Sequence, residues 1–479
     1  MDTDAARASA PRHPLAPEWL VEPADANGLA ASVWSDGTTR TGDGALEIAG
    51  VAASALAEQF GTPLYVVDEA DARRRAVEMR EAFARELGRI GTGVTVYYAG
   101  KAFLSTEVAR WMRDEGLNLD LSSGGELAVA MAAGIESDRL GLHGNNKSLA
   151  EIDRAVEVGL GTIVLDSLVE IDRVAAAAER HGRVQSVRLR VNSGVHAHTH
   201  EFLATAHEDQ KFGLALVDCA AAVARIRSRA SLRFLGLHCH IGSQIFGSAG
   251  FAESASRLLD VHAELLADGP VPELNLGGGF GIAYTSADDP TPIGEIAAAI
   301  ADAVAEQCAA RAVPVPHIAI EPGRSLIGPA GLTLYEVGTI KDVVVGSAGS
   351  TSVRRYVSVD GGMSDNARPA LYGADYTARI ANRSSAAEPA LVRVAGKHCE
   401  SGDIVVHDEF LPADVQPGDL LAVAATGAYC WSLSSNYNYL GRPPVVAVRD
   451  GRARVIVRGE TEDDLLRRDA GIERKAILR

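Results

Sequence analysis

The stretch VTVYYAGKAFLSTEVARWMRDEGLNLDLSS (residues 94–123) contains the unit from which the fold of this chain is built. An apolar, β-branched run (VTVYYA) is followed by a helical pattern (STEVARWMRDEG) and by a second strand-like run (LNLDLS). This alternation predicts two parallel strands joined by a helix. Lys101 comes directly after the first run, at the end of the predicted strand.

Six more strand-like runs follow, with helical patterns between them. They are RLGLHG, TIVLDS, SVRLRVN, RFLGLHCHIG, ELNLGGGF and HIAIEPGR. Eight such repeats predict an α/β fold with an eight-stranded parallel (β/α)8 barrel, whose active site lies at the carboxyl ends of the strands. One helical pattern begins at Ser167, and Glu170 three residues later predicts a capping box.

The pattern changes after about residue 326, where LTLYEVGTI, RRYVSVDG, ALVRVAG, DIVVHDEF, DLLAVAAT and VVAVRDGRARVIVRG follow without helical patterns. The DG pair at 450–451 is typical of a β-hairpin. We therefore predict a barrel over residues 51–325 and an all-β domain over residues 326–479. Residues 1–50 are irregular and form an extension.

Composition excludes several classes of protein. The chain has 479 residues and a formal charge of −17, which disfavours nucleic-acid binding. It has neither a signal-peptide pattern nor an apolar run long enough for a membrane span. The five cysteines are odd in number and lack metal-type spacing, which predicts reduced thiols in the cytoplasm: Cys219, Cys239, Cys308, Cys399 and Cys430.

Three motifs at predicted strand ends supply the groups that pyridoxal phosphate chemistry needs. Lys101 offers a primary amine for a Schiff base, although a Lys in this place could instead pair with a carboxylate. The GGGFG motif (277–281) lets backbone amides approach a phosphate, or it is a plain tight turn. In EPGR, Glu321 could keep a pyridine nitrogen protonated and Arg324 could bind an anion, or the two could form a structural pair.

Histidines occur in two further motifs. In HCHIGSQ (238–244), His240 could stack on a flat cofactor ring and Ser243 could donate to its phosphate, whereas His238 is more deeply placed and is interpreted as structural. The alternative for His240 is an ordinary core histidine. The HAHTHEF motif (196–202) has histidines in alternation, but no Cys or carboxylate completes a metal site. We predict no metal there and interpret it as a loop over the barrel mouth.

The predicted β-domain carries a second group of reactive residues. In CESGD, Cys399 is a thiol that can protonate a carbanion and Glu400 is a carboxylate that can bind an ammonium group. In DNARPALYGADY, Arg368 and Tyr372 could bind a substrate carboxylate. The alternatives are a buried Cys beside a surface Glu, and a salt bridge in a surface loop.

These motifs resemble those of the diaminopimelate decarboxylases, members of the alanine-racemase-like (fold type III) class of pyridoxal phosphate enzymes. The likeness runs from about residue 45 to about residue 470. It rests on YYAGKA, HGNNKS, HAHTHEF, HCHIGSQ, LNLGGGFG, EPGR, DGGMSDNARPALYGADY, CESGD and GAYCWSLSSNYN. The last four together are specific to this family within the class.

The resemblance implies roles for individual residues. Lys101, which would carry pyridoxal 5'-phosphate as a Schiff base, and Cys399 would be catalytic. The cofactor would also contact His240, Ser243, Gly278, Gly279, Glu321, Pro322, Gly323, Arg324 and Tyr429. The substrate would contact Arg324, Arg368, Tyr372, Glu400 and Tyr429. The protein would be a homodimer with shared active sites, and residues 1–50 would partly join the β-domain.

The implied reaction is the decarboxylation of meso-2,6-diaminopimelate to L-lysine and CO2, the last step of lysine synthesis. One alternative is a related decarboxylase acting on ornithine, arginine or a D-amino acid. Arg368 disfavours the diamine precursors, because their distal group is cationic. A non-catalytic homologue is disfavoured by the presence of Lys101 and Cys399. A racemase is disfavoured because no two-base arrangement is evident.

Overall fold

The computed structural model describes residues 13–195, 210–347 and 350–472. Contacts divide the chain into two compact units. The β-rich unit contains the chain up to Asp71, the segment Ala283–Asp288 and the chain from Gly328 onward. The barrel unit contains Ala72–Ile282 and Asp289–Ile327.

The β-rich unit begins with four strands and one helix. These are β1 (Thr38–Arg40), β2 (Leu46–Ile48), β3 (Val51–Ala52), α1 (Ala53–Phe60) and β4 (Leu64–Asp68). The first three strands form a small antiparallel sheet. Every residue of β4 is buried, because this strand lies in the middle of a larger sheet formed with much later segments.

The barrel unit alternates strands and helices in chain order. Its strands are β5 (Val94–Ala99), β6 (Asn118–Leu121), β7 (Leu140–Leu142), β8 (Thr162–Leu165), β9 (Gln185–Asn192), β10 (Leu214–Ala215), β11 (Leu232–His238), β12 (Glu273–Asn275) and β13 (His317–Ile320). Its helices are α2 (Glu69–Arg89), α3 (Thr106–Asp114), α4 (Gly124–Ala132), α5 (Leu149–Glu157), α6 (Leu168–Arg180), α7 (Cys219–Arg227), α8 (Ala249–Leu266), α9 (Ile293–Ala310) and α10 (Arg324–Ile327).

Eight of these strands close into a parallel barrel. The pairing runs β5–β6–β7–β8–β9–β11–β12–β13 and returns from β13 to β5. The short strand β10 pairs only with β9 and lies outside the ring. The predicted fold class is therefore confirmed, and all eight strands expected from the sequence are present. Because every strand is parallel, their carboxyl ends open at the same mouth.

Serine side chains cap several barrel helices, but one expected cap is wrong. Ser105 and Ser123 each accept a hydrogen bond from a backbone amide in the first turn of α3 and α4. Ser167 precedes α6, as predicted, yet its side chain makes no cap hydrogen bond. Its expected partner Glu170 is buried and instead accepts from the Lys147 ammonium at 2.9 Å. The buried ion pair outcompetes the capping box.

The remainder of the β-rich unit is predominantly strand. It contains β14 (Gly331–Ser347), β15 (Ser350–Val359), α11 (Arg368–Tyr372), β16 (Ala378–Ile380), β17 (Pro389–Ala395), β18 (Ile404–Pro412), β19 (Leu420–Val423), β20 (Val445–Arg449), β21 (Arg452–Val457) and α12 (Glu462–Leu466). The main sheet has the order β18–β17–β15–β14–β4–β20–β21, and β19 joins β14 to β16. The expected hairpin at DG 450–451 connects β20 to β21.

The division between the units differs from the boundary at residue 51 that we drew from the sequence. Residues 51–71 belong to the β-rich unit, because β4 pairs with β14 and β20. Residues of the N-terminal extension enter the same core, including Val33, Trp34 and Leu46.

No helix in the described ranges is both long and apolar enough to cross a membrane. The five cysteines are all free thiols, and among them only Cys399 is exposed.

Candidate active site

A cavity of about 270 Å³ opens at the carboxyl ends of the barrel strands. Lys101 follows β5 and its side chain is exposed to this space. The other residues lining the cavity are Ala99, Asp120, Ser122, His143, Gly144, Asn145, Arg190, Phe212, His238, His240 and Glu321. The structure therefore brings together Lys101, His240 and Glu321, although Lys101 and Glu321 are more than 200 residues apart in the sequence.

The carboxylate of Glu321 is held rigidly at the end of β13. It is buried, and it accepts hydrogen bonds from Asn275 Nδ2 at 2.6 Å and from His238 Nε2 at 3.0 Å. The amide oxygen of Asn275 in turn accepts from the backbone amide of Gly277. Three neighbouring strand ends thus fix this carboxylate. His238, which the sequence analysis interpreted as structural, lines the cavity and has Glu321 as its partner.

A second carboxyl group lies beside Glu321. His143 Nε2 lies 2.5 Å from Asp120 Oδ1 and 3.4 Å from Glu321 Oε1. Burial, together with the nearby Glu321, raises the pKa of Asp120 well above its usual range. Burial acts to raise the pKa of Glu321 as well, but the imidazoles of His238 and His143 hold it well below its usual value. Burial lowers the pKa of His143 to about 4.

His240 presents a neutral imidazole to the cavity. Its Nδ1 accepts a hydrogen bond from the backbone amide of Gly278 at 3.1 Å, so the proton of the neutral ring is on Nε2. Burial, and next the charge of Lys101, lower the pKa of His240 well below its usual value. The ring is thus an uncharged flat surface at the strand ends.

The glycines of GGGFG allow three strand-end loops to meet closely. A Cβ at Gly278 would lie 2.0 Å from the carbonyl oxygen of Glu321, and one at Gly279 would lie 2.4 Å from that of Gly242. Gly279 also has a φ of 114°, which other residues rarely adopt. Any side chain at these two positions would therefore push the loops apart.

Arg324 is positioned beside these loops. It is buried at the start of α10, and its Nη2 donates to Ser243 Oγ at 2.9 Å. The preceding residues tie this turn to β5, because Ala99 N donates to the carbonyl of Pro322 and a Cβ at Gly323 would lie 3.0 Å from that of Ala99. The arrangement places a fixed cation and a hydroxyl next to a glycine-lined turn, which suits a phosphate.

The remaining predicted site residues belong to the β-rich unit. Arg368 begins α11 and is buried. Its guanidinium donates to Tyr376 Oη at 2.5 Å and lies 4.6 Å from the ring centroid of Tyr284. It forms no ion pair with a carboxylate within the described ranges. A buried cation of this kind destabilises the folded protein unless an anion binds beside it.

Tyr372 and Tyr429 are half-buried, and Tyr429 has a φ of 64°. Cys399 and Glu400 are both exposed and follow β17. No hydrogen bond to the Cys399 thiol occurs among the described residues. The thiol and the carboxylate are therefore open to a molecule outside this unit's own core.

Several residues of the cavity were not singled out from the sequence. Asp120, His143 and Arg190 line it, and Arg190 also lies 4.2 Å from the ring centroid of Phe212. A charged residue inside an otherwise apolar strand, such as the Asp in LNLDLS, is the sequence feature that could have indicated such a position. The histidines of HAHTHEF lie outside the described residues.

The donor set at the barrel mouth fits pyridoxal phosphate. An exposed amine on Lys101, a carboxylate on Glu321 and a neutral ring on His240 surround one cavity. Arg324 and Ser243 stand beside the glycine turn. These are the groups that the aldehyde, the pyridine ring and the phosphate each require.

Comparisons with known proteins agree with this assignment. Residues 70–328 match the family model described as "Pyridoxal-dependent decarboxylase, pyridoxal binding domain". The chain is 52% identical over 446 residues to a diaminopimelate decarboxylase of Mycobacterium tuberculosis, covering 91% of this chain and 98% of the relative. It is 52% identical over 463 residues to that of Mycobacterium leprae, covering 95% and 96%. A crystal structure of the M. jannaschii diaminopimelate decarboxylase with L-lysine superposes with a TM-score of 0.83 at 31% identity, covering 93% and 99%.

Proposed function

The chain belongs to the diaminopimelate decarboxylase family, and from this premise we propose how its residues divide the work of the reaction. The enzyme removes one carboxyl group of meso-2,6-diaminopimelate as CO2 and leaves L-lysine, in the last step of lysine biosynthesis. It depends on pyridoxal 5'-phosphate.

The cofactor, when bound, supplies an aldehyde that joins amines and a ring that accepts the electron pair left when CO2 departs. The observation that carries the proposal is the placement of Lys101 and Glu321 around one cavity at the barrel mouth. Lys101 provides the amine that binds the aldehyde. Glu321, whose pKa its histidine neighbours hold well below the usual value, would hold a proton at the ring nitrogen of the bound cofactor.

The phosphate is bound by the loops around the glycine turn. Arg324 would neutralise its charge, Ser243 would donate a hydrogen bond, and the backbone at Gly278, Gly279, Pro322 and Gly323 would shape the pocket; we also assign Tyr429 a contact with the cofactor. His240 would stack on the ring of the bound cofactor. Because its imidazole is neutral, it does not repel a protonated pyridine.

Arg368 binds the distal carboxylate of the substrate. It is a buried cation with aromatic partners and no carboxylate partner among the described residues, so a substrate anion would complete its environment. Tyr372, Glu400, Arg324 and Tyr429 provide the remaining substrate contacts, with Glu400 binding the ammonium group. This arrangement favours diaminopimelate over substrates whose distal end is a bare amine.

Cys399 delivers the proton that replaces CO2. Its thiol is exposed on the β-rich unit, and we assign it to the active site of the other subunit in a homodimer. Each site then takes Lys101 from one chain and Cys399 from its partner. Five unpaired cysteines are in keeping with a reducing compartment, and we place the enzyme in the cytoplasm.

The direct test is CO2 release from meso-diaminopimelate, ornithine and L-lysine, each offered separately to the purified holoenzyme. Diaminopimelate should be the preferred substrate, Lys101→Ala should abolish its turnover, and the exposed Lys341→Ala should serve as the matched control. Equal turnover of ornithine and diaminopimelate would contradict the assigned role of Arg368. Full activity of Lys101→Ala would contradict the assigned amine.

A further inference from the structure

The segment that carries Cys399 is held by a group of polar residues that we call the clamp: Ser364, His398, Asp403 and Asn438. They come from three separate segments of the β-rich unit. The carboxylate of Asp403 accepts from the backbone amide of His398 at 2.7 Å and from that of Met363 at 2.6 Å. The backbone carbonyl of Ser364 also accepts from Ser435 N at 2.9 Å, so the three segments are linked to one another.

The hydrogen bonds of the clamp define the protonation of His398. Asn438 Oδ1 accepts from the backbone amide of Cys399 at 3.3 Å, which identifies this atom as the oxygen. The same oxygen lies 3.0 Å from His398 Nδ1, so Nδ1 must carry a proton. The other nitrogen, Nε2, accepts from the Ser364 amide at 3.3 Å and lies 2.8 Å from its hydroxyl. An amide can only donate, so His398 is neutral with its proton on Nδ1.

The neutral ring is also fixed by packing. His398 is buried and stacks on Tyr437, with ring centroids 5.2 Å apart and planes 25° from parallel. The ring can therefore act as a rigid link between Ser364 on one side and Asn438 on the other. Asn438 has a φ of 50°, a conformation that Asn and Asp adopt more readily than most residues.

We infer that His398 and Asn438 are positioning residues that set the direction of the Cys399 thiol. The thiol is exposed and makes no hydrogen bond of its own among the described residues, so within its own chain the backbone at Cys399 sets its direction. That backbone is fixed at its own amide by Asn438, and at the preceding amide by Asp403. The inference rests on the proposed role of Cys399 as proton donor.

A pair of substitutions at Asn438 separates the acceptor from the backbone conformation. Asn438→Asp keeps an oxygen acceptor, whereas Asn438→Gly keeps the unusual φ and removes the acceptor. Because a misplacement of about 1 Å can cost 10²-fold in rate, Asn438→Gly should lower kcat roughly 10- to 100-fold. Its KM should change much less than its kcat, because Asn438 itself is not a proposed substrate contact and only Glu400 among those contacts adjoins Cys399. Asn438→Asp should restore most of the activity.

A second measurement reports on the thiol without catalysis. The holoenzyme is treated with iodoacetamide and the peptide containing Cys399 is quantified by mass spectrometry; the four buried cysteines provide the internal reference. Asn438→Gly should change the alkylation rate of Cys399 several-fold, and Asn438→Asp should not. Should Asn438→Gly fail to fold, His398→Phe, which keeps the stacking on Tyr437, replaces it with the same expected result.

Equal alkylation rates in wild type, Asn438→Asp and Asn438→Gly would overturn the inference. So would equal losses of kcat in the two variants, because the acceptor would then be irrelevant. A separate variant, Cys399→Ser, tests the proposed function. If it retains wild-type kcat, Cys399 is not the proton donor, while the alkylation rates still decide whether the clamp orients its thiol.

Discussion

Replacing Arg368 by methionine should weaken catalysis strongly while leaving the protein about as stable as before. Arg368 is buried against Tyr284 and Tyr376 and has no carboxylate partner within the described ranges. Most substitutions of a buried residue instead lower the stability of the folded protein, and any loss of activity follows from that. The combination of the two effects is therefore specific to a buried charge that awaits a ligand.

The size of the catalytic effect follows from the charge that is lost. Removing one partner of a buried, hydrogen-bonded charge pair costs about 2–5 kcal/mol. At about 1.4 kcal/mol for each factor of ten, kcat/KM for diaminopimelate should fall roughly 30- to 4,000-fold.

The effect on stability is the difference of opposing terms. Methionine loses the interaction with the aromatic faces, about 2 kcal/mol for a desolvated cation. It also leaves the Tyr376 hydroxyl without its donor, which costs about 1–3 kcal/mol. Against this, removal of an uncompensated buried charge relieves several kcal/mol, since leaving such a charge costs about 3–5 kcal/mol. The losses and the relief are of similar size, so the free energy of unfolding should change by no more than about 2 kcal/mol.

Two measurements test this reasoning. CO2 release gives kcat/KM for diaminopimelate, and thermal unfolding of the holoenzyme gives the stability. Arg368→Lys is the matched control, because it keeps the charge and loses the planar fork. Unchanged kcat/KM in Arg368→Met would show that Arg368 does not bind substrate. A large loss of stability would show that the guanidinium already has an anionic partner in the native protein.

Three further predictions concern the amine, the assembly and a buried acid. Borohydride reduction of the holoenzyme followed by peptide mapping should find the cofactor on Lys101, and label on Lys147 instead would contradict the assignment. Lys101→Ala and Cys399→Ala homodimers should each be inactive, but mixing them by reversible dissociation should restore about a quarter of wild-type activity, because half of the dimers are then hybrids with one intact site. If verified subunit exchange restored no activity, both residues would act within one chain or Cys399 would not be catalytic. Burial raises the pKa of the Asp365 carboxyl to about 7 in the folded protein. As pH rises, the unfolded chain therefore loses this proton at a lower pH than the folded protein does. The stability of the wild-type protein should consequently fall between about pH 4 and 7. The stability of Asp365→Asn relative to wild type should therefore increase over this range, on the order of 4 kcal/mol, in denaturant unfolding at several pH values; a constant difference would refute the shift.

The barrel and its central residues could be predicted because parallel strands bring their ends together whatever the details of packing. Lys101 and Glu321 both follow apolar runs, and closure of the ring places them at one mouth. The same argument could not find Asp120, which lies within β6 and reads as a polar interruption of that strand. Its importance comes from contacts with His143 and Glu321 on other strands, which no local pattern reveals.

Which strands pair with one another was harder to predict from the sequence. PLYVVD has the composition of any buried strand, so nothing local distinguishes a place in the barrel from one in the β-rich sheet. The capping box at Ser167 failed for a related reason. Glu170 has the right spacing, but Lys147 supplies a stronger partner from a distant part of the chain.

The position of β4 has a consequence for how the chain is made. Its partners in β14 lie about 260 residues further along the chain, and those in β20 lie still further. At about 5–20 residues per second, a ribosome needs roughly 13–50 s to reach β14 after β4 has been synthesised. The barrel segment can therefore fold during translation, while the apolar strand β4 waits without its sheet. Aggregation of the nascent chain and dependence on chaperones should accordingly centre on Leu64–Asp68, not on the catalytic barrel that follows it.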